Sequence, residues 1–209
     1  DVRSIFSNEM GSALAKRVDQ NLLQLVVKAS RTSANIAGDT GAGLEIVDAD
    51  ADTNMDSLIA SIFEGIQSLD EKDVPSTERY IVVSPDIYYK LANVDKLVSR
   101  DFSANNGDFG KGTVVAIGGV PVIKSNTAVD AFTDTSSAST TGTNNSYNVN
   151  AGDVQAVLFQ RGAIGTIKRK DLTLESTYDP RRMGTLMTAR MMVGHNILRP
   201  ECAVSINKS

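Results

Sequence analysis

Seven apolar residues at a strict spacing of four open this chain. Val2, Phe6, Met10, Leu14, Val18, Leu22 and Val26 recur at every fourth position, with Ile5, Ala13, Leu25 and Ala29 beside them. The pattern predicts one long helix from Asp1 to about Ala34. A step of four advances about 400° around the axis, so the stripe drifts by roughly 40° each time. The apolar face therefore winds, and the helix must meet different neighbours along its length. About 30 residues at roughly 1.5 Å each make a rod of about 45 Å. A compact domain of 209 residues ordinarily has no use for so long a rod. It suits a spine crossing a flat, extended subunit; the other reading is an ordinary core helix.

The bulk chemistry narrows the class. A hydrophobic fraction of 41% and a charged fraction of 22% are those of a globular protein. The net charge of -4 argues against a protein that works by neutralising phosphates, which would be basic. A single cysteine, Cys202, rules out a disulfide within the chain and reads as a small buried hydrophobe. No stretch approaches the roughly 18 apolar residues that span a bilayer, so no membrane partner is expected. Asp1 opens directly into a polar amphipathic segment, unlike a signal peptide. The missing initiator methionine leads us to expect a fragment of something longer.

The rest of the chain mixes helices and strands. Gly38, Gly41 and Gly43 punctuate a turn region that runs into Asp48, Asp50 and Asp52. A second helix is expected from Thr53 or Asn54, with Thr53 as N-cap and Asp56 in a capping-box position. Met55, Leu58, Ile59, Ile62, Phe63, Ile66 and Leu69 form its face, and it stops at Asp73-Val74-Pro75. Arg79 to Val83 reads as a buried strand. Ser84-Pro85 then opens a third helix, with Ile87, Tyr88 and Leu91 turned inward. Strands at Thr113–Ile117 and Val120–Lys124 flank Gly118-Gly119, a two-residue hairpin signal. Ser125 to Asp153 is rich in Thr, Ser, Asn and Gly and is expected to be a surface loop or insertion. Val154–Phe159, Ile164–Leu174, Leu186–Val193 and Ala203–Ile206 complete the strands, the second alternating unevenly around Lys168-Arg169-Lys170.

No motif carries catalysis, and no catalytic, cofactor-binding or metal residue is assigned. Asn106 to Thr113 superficially resembles a phosphate loop, but Asn105 stands where the first glycine belongs and Gly112 follows Lys111. Asp48-Ala49-Asp50-Ala51-Asp52 resembles the start of a calcium loop, yet Thr53 and Ile59 occupy the positions that need Gly and Glu. It reads as the acidic start of a helix, with weak adventitious cation binding as the other option. His195 is the lone histidine and has no nucleophile elbow to serve, so it reads as a structural residue near a turn. Lys168-Arg169-Lys170 and Arg181-Arg182 can bind an anion or DNA; pairing with acids on a neighbouring subunit is the favoured reading.

A family resemblance rests on motifs in order along nearly the whole chain. They are Asp1-Val2-Arg3-Ser4, Gly11-Ser12-Ala13-Leu14-Ala15, Val74-Pro75 with Arg79, and Ser84-Pro85-Asp86-Ile87-Tyr88-Tyr89. Gly118-Gly119-Val120-Pro121-Val122 and Arg161 to Lys168 follow. Asp171-Leu172-Thr173-Leu174-Glu175, Gly194-His195 and Leu198-Arg199-Pro200-Glu201 close the series. Together they resemble the major capsid proteins of T-seven-like short-tailed bacteriophages, which adopt the Hong Kong 97 capsid fold. The resemblance implies an α+β fold with a long spine helix, peripheral-domain strands and an axial domain of mixed sheet flanked by helices. Residues 1–43 would be the spine helix and exit loop, and 44–160 the axial domain with its loop at 125–153. Residues 161–194 would be the peripheral strands, with Gly194-His195 marking the crossing to 195–209, which return to the axial sheet. The family's N-terminal arm and extended loop have no counterpart, and with that loop absent nothing supports covalent cross-linking.

The implied function is structural: self-assembly as hexamers and pentamers into an icosahedral head around double-stranded DNA. The implied partners are other copies of the chain, a scaffolding protein during assembly, the portal at one vertex, and packaged DNA by non-specific proximity. The expected location is the virion capsid, assembled in the host cytoplasm, with no cofactor and no enzymatic role. An encapsulin-like shell protein of a cellular nanocompartment is the alternative.

Overall fold

A computed structural model describes residues 2–34, 41–94, 107–108, 113–114, 116–133 and 147–208. Helix α1 covers Val2–Ser30. β1 (Leu44–Val47), α2 (Met55–Glu71), β2 (Arg79–Val83) and α3 (Pro85–Leu91) follow. Two short strands, β3 (Gly107–Asp108) and β4 (Thr113–Val114), pair with each other. Then come β5 (Ala116–Ile117), β6 (Val120–Lys124), α4 (Asn126–Phe132) and β7 (Val154–Gln160). The chain ends with β8 (Ile164–Asp179), β9 (Gly184–Ile197) and β10 (Ala203–Asn207).

The core is a six-stranded mixed sheet in the order β1-β10-β7-β2-β6-β5. Two of its interior strands, the adjacent β10 and β7, are covered on both faces. Val204 lies opposite Leu158, and Ser205 opposite Val157; residues directly opposite share a face. A side chain at Gly65 of α2 would press on Leu158 and Val204, so that face lies under α2. The Ser205 hydroxyl lies 2.8 Å from the Ser30 hydroxyl, so the other face lies under the end of α1. All five residues of β10 are buried in consequence, the pattern of a strand covered on both sides.

The winding stripe of α1 resolves into two environments. Its last turns, including Leu23, Leu25, Val26 and Val27, are buried over the sheet. Its first turns lie beside the β8–β9 ribbon and leave Val2, Ile5 and Phe6 exposed. After the helix the chain doubles back so tightly that a Cβ at Gly43 would sit 2.2 Å from the Ala29 carbonyl oxygen. Only glycine fits there.

Local chemistry explains most boundaries. Ser84 caps α3 by accepting from the Ile87 amide, and Pro85 takes the first helical position. Gly118 and Gly119 both adopt positive φ, at 57° and 80°, and make the expected hairpin turn. The α2 cap is Asn54 and not Thr53. The Asn54 side chain accepts from the Asp56 and Ser57 amides, while the Thr53 hydroxyl turns back to the Asp50 carbonyl. Buried Arg79 closes the connection from α2 to β2. Its guanidinium pairs with Asp70 at 2.8 Å and donates to the carbonyls of Val74 and Pro75.

Two expectations need correction. The surface loop expected over 125–153 begins instead with α4, whose Ala128, Ala131 and Phe132 are buried. A seven-residue helix is too short to show periodicity; tertiary packing holds it. It sits against α1, with Asp130 paired to Lys16 at 2.7 Å. Farther along, Ala151 is also buried, and residues 134–146 lie outside the described residues. The crossing expected at Gly194-His195 also moves. β9 runs on to Ile197, because its ladder with β8 continues through Thr166↔His195 to Ile164↔Ile197. The return turn follows, where the amides of Leu198 and Arg199 both donate to the Ala163 carbonyl.

Leu158 sits at the centre of the core and is fully buried, whereas Val47 is 64% exposed. Leu158→Ala is expected to cost about 2–5 kcal/mol of stability, and Val47→Ala less than about 0.5 kcal/mol. Urea denaturation followed by circular dichroism reads both.

Candidate assembly surface

The most unusual element is the β8–β9 ribbon. It pairs from Ile164↔Ile197 to Asp179↔Gly184, and among the described residues neither strand joins a third. An isolated two-stranded ribbon is marginal in water unless something covers it. α1 covers part of it. Met187, Ala189, Met191, Val193, His195 and Ile197 alternate as the less exposed side of β9, and Leu172 approaches Gly11 of α1. The other side shows Ile167, Leu186 and Met192 to solvent. The uneven alternation of the sequence here has a structural cause: the register shifts between Lys168 and Lys170 and again before Thr173.

The charges flanking this ribbon are only partly engaged. Lys168 pairs with Asp171 at 2.9 Å, and Arg190 with Glu175 across the strands. Arg182 lies 4.0 Å from Asp179. Within the chain, Lys168 and Arg182 thus already have carboxylate partners. Arg169, Lys170 and Arg181 make no ion pair among the described residues.

His195 stands at the root of the ribbon, inside a strand and not at a turn. Its Nδ1 lies 2.9 Å from the Thr166 hydroxyl, and its backbone amide donates to the Tyr147 hydroxyl. The Tyr147 ring packs at 5.8 Å. Its Nε2 is buried with no hydrogen-bond partner among the described residues. Among these contacts no carboxylate orients the ring, and the geometry is that of a joint between ribbon and sheet. Cys202 is buried, and burial pushes its thiol pKa up; such a thiol is unreactive.

The other flagged motifs are structural or lie elsewhere. Burial pushes the Asp48 carboxyl up, but hydrogen bonds from Ser57, the Asp50 amide and Ser61 outweigh it and leave its pKa lowered. That carboxylate braces the start of α2. Among the described residues no group of three His, Cys, Asp or Glu side chains could hold a metal ion, and no helix is long and apolar enough to cross a membrane. Most of the loop from Asn105 to Gly112 lies outside the described residues.

Burial holds the His195 pKa below its usual range. The unfolded chain thus binds this proton more tightly, and stability falls as pH drops through about 6.5 and below. Thermal melts from pH 7.5 to 5 are expected to show this decline, and His195→Gln to flatten it.

Comparison with known proteins accounts for a fold built around such a ribbon. The chain matches the Gp10A-like major capsid protein family over residues 1–207. It is 24% identical over 99% of its length to the major capsid protein of Escherichia phage T7, and 26% identical to that of Enterobacteria phage T3. It spans about 65% of the length of each of these relatives. The capsid structure of cyanophage P-SCSP1u superposes with a TM-score of 0.86 at 33% identity, covering 99% of this chain and 66% of that one. The mature capsid of bacteriophage PhiM1 superposes at 0.79 over 98% of this chain and 64% of that one, where 22% identity speaks for the fold alone. The α+β capsid fold expected from the sequence is the fold observed, and the likeness to phage proteins sets aside the encapsulin-like alternative. The chain belongs to the Gp10A-like major capsid protein family of bacteriophages.

Proposed function

We propose that this chain is a structural subunit of a phage head, assembling with copies of itself as hexamers and pentamers into an icosahedral shell around double-stranded DNA. The observation that carries the reading is the ribbon. Its strands of 16 and 14 residues stand beside one helix with long apolar side chains in water, the mark of a surface made to be covered. The family match supports the same reading. α1 and the ribbon serve as the peripheral lobe, and the six-stranded sheet with α2, α3 and α4 as the axial wedge. A scaffolding protein guides assembly, the portal occupies one vertex, and DNA lies against the shell without base-specific contact. The net charge of -4 suits a container that does not grip its contents. The role is mechanical, with no turnover.

The full-length protein, expressed with its scaffolding protein, is expected to form shells visible by electron microscopy and particles far above monomer mass by light scattering. A protein that stays monomeric under these conditions would overturn the reading.

A further inference from the structure

His195 is the one histidine of the chain, and histidine is the side chain whose charge ordinarily changes between about pH 5 and 8. At the ribbon root it is only 9% exposed. Its Nδ1 meets the Thr166 hydroxyl, and its Nε2 has no hydrogen-bond partner among the described residues. A neutral ring carries a proton on one nitrogen alone, whichever tautomer is present. A protonated ring carries one on both, and the N–H at Nε2 then meets no acceptor among the described residues. A buried donor left in that state is costly, and a buried charge more so.

Tyr147 closes the site. Its hydroxyl accepts from the His195 amide at 3.1 Å, and its ring lies 5.8 Å from the imidazole. That amide belongs to a strand whose outer edge joins no other strand among the described residues. One side chain thus clasps both the backbone and the ring of His195.

The charges on the surrounding elements are engaged elsewhere. Lys168 of β8 pairs with Asp171. Arg161, on the cavity that Thr166 shares with α1, pairs with Glu78. α1 brings only apolar Leu22, Leu23 and Val26 to that cavity, and β9 places Val193 and Ile197 on the side of His195. The segment of Tyr147 carries one carboxylate before β7, Asp153. Among the described residues no charged group contributes to the titration of the ring, and burial alone holds its pKa down.

The root has room to give. Gly194 precedes His195, and a Cβ there would meet nothing within 4 Å. A cavity of about 490 Å³ opens at this level, lined by Gly165, Ile167, Gly194 and Leu198 among others. β7 and β10 have no such slack, since α2 and the end of α1 cover them on both faces.

We propose that Tyr147 and His195 form a proton-sensitive latch on the ribbon: the neutral ring accepts the clasp, and the protonated ring expels it and frees the root while the sheet stays closed. A sealed ring binds its proton less readily than a ring in water. The clasp is therefore complete above about pH 6.5 and is lost as pH falls below it. The latch belongs to the single chain and does not rest on the capsid reading.

The experiment is hydrogen exchange on the full-length protein, read by mass spectrometry at pH 7.5 and pH 5 and corrected for the intrinsic effect of pH on exchange. Peptides spanning Tyr147 and residues 193–198 are expected to exchange at least tenfold faster at pH 5, with those of β7 and β10 unchanged. In His195→Gln, whose side chain takes up no proton, the acceleration is expected to vanish. In Tyr147→Phe the His195 amide loses its acceptor, so residues 193–198 are expected to exchange fast at both pH values. Wild-type exchange that ignores pH, an acceleration that survives His195→Gln, a Tyr147→Phe protein as slow as the wild type at pH 7.5, or a core that opens in step with the root each overturn the latch. If His195→Gln does not fold, the wild-type protein decides alone. Exchange at the ring carbon of its one histidine reports protonation, and the loosening is expected to share that midpoint; a different midpoint overturns the proposal.

Discussion

The sheet, the end of α1, α2 and the ribbon all meet at two adjacent strands, β7 and β10. Leu158 and Val204 face α2, while Val157 and Ser205 face the end of α1. Because both sides are covered, neither strand tolerates a register slip, which would exchange the two faces residue by residue. β1 joins one edge of the pair in parallel, and β2 and β6 extend the other. The ribbon also begins and ends here, since β7 leads into β8 through the short turn Arg161–Ala163 and β9 returns to β10 through the turn Pro200–Cys202. The rigid part of the molecule and its projecting part are thus consecutive lengths of the same two segments of chain.

Polar chemistry at the seams gives this arrangement its uniqueness. Arg31 pairs with Glu45 and also donates to the Asn150 carbonyl, tying the end of α1 to β1 and to the segment before β7. The Asn207 amide reaches the same Glu45 carboxylate. The pairing of Arg79 with Asp70 fixes α2 to β2 in a similar way. Arg79 and Asn207 are buried and would be costly to leave without these partners, so they restrict how neighbouring elements can pack.

Elements specified by local chemistry were legible in the sequence. Ser84-Pro85 names a helix start and Gly118-Gly119 a tight turn because each residue does there what few others can. The strands β2, β7 and β10 were legible as short apolar runs. What depended on distant partners was not. α4 carries too few residues for a period and owes its place to α1. His195 was expected beside a turn, since nothing local reveals that Thr166 extends the ladder past it. Phe63 carries the apolar signal of a core residue, and only the tertiary structure shows it facing outward. The candidate surface was least visible of all, because side chains that wait for another molecule follow no rule of the chain that bears them.

The close packing at the base of α1 has a mechanical consequence. Only the last turns of this 29-residue helix are buried over the sheet, around the meeting of Ser30 with Ser205 and the glycine-tight return at Gly43. The helix is about 45 Å long, so a tilt of roughly 5° about that base carries its far end through about 4 Å. The helix is a lever with its fulcrum in the sheet, and adjustments too small to disturb the core become displacements large enough to change which surfaces meet.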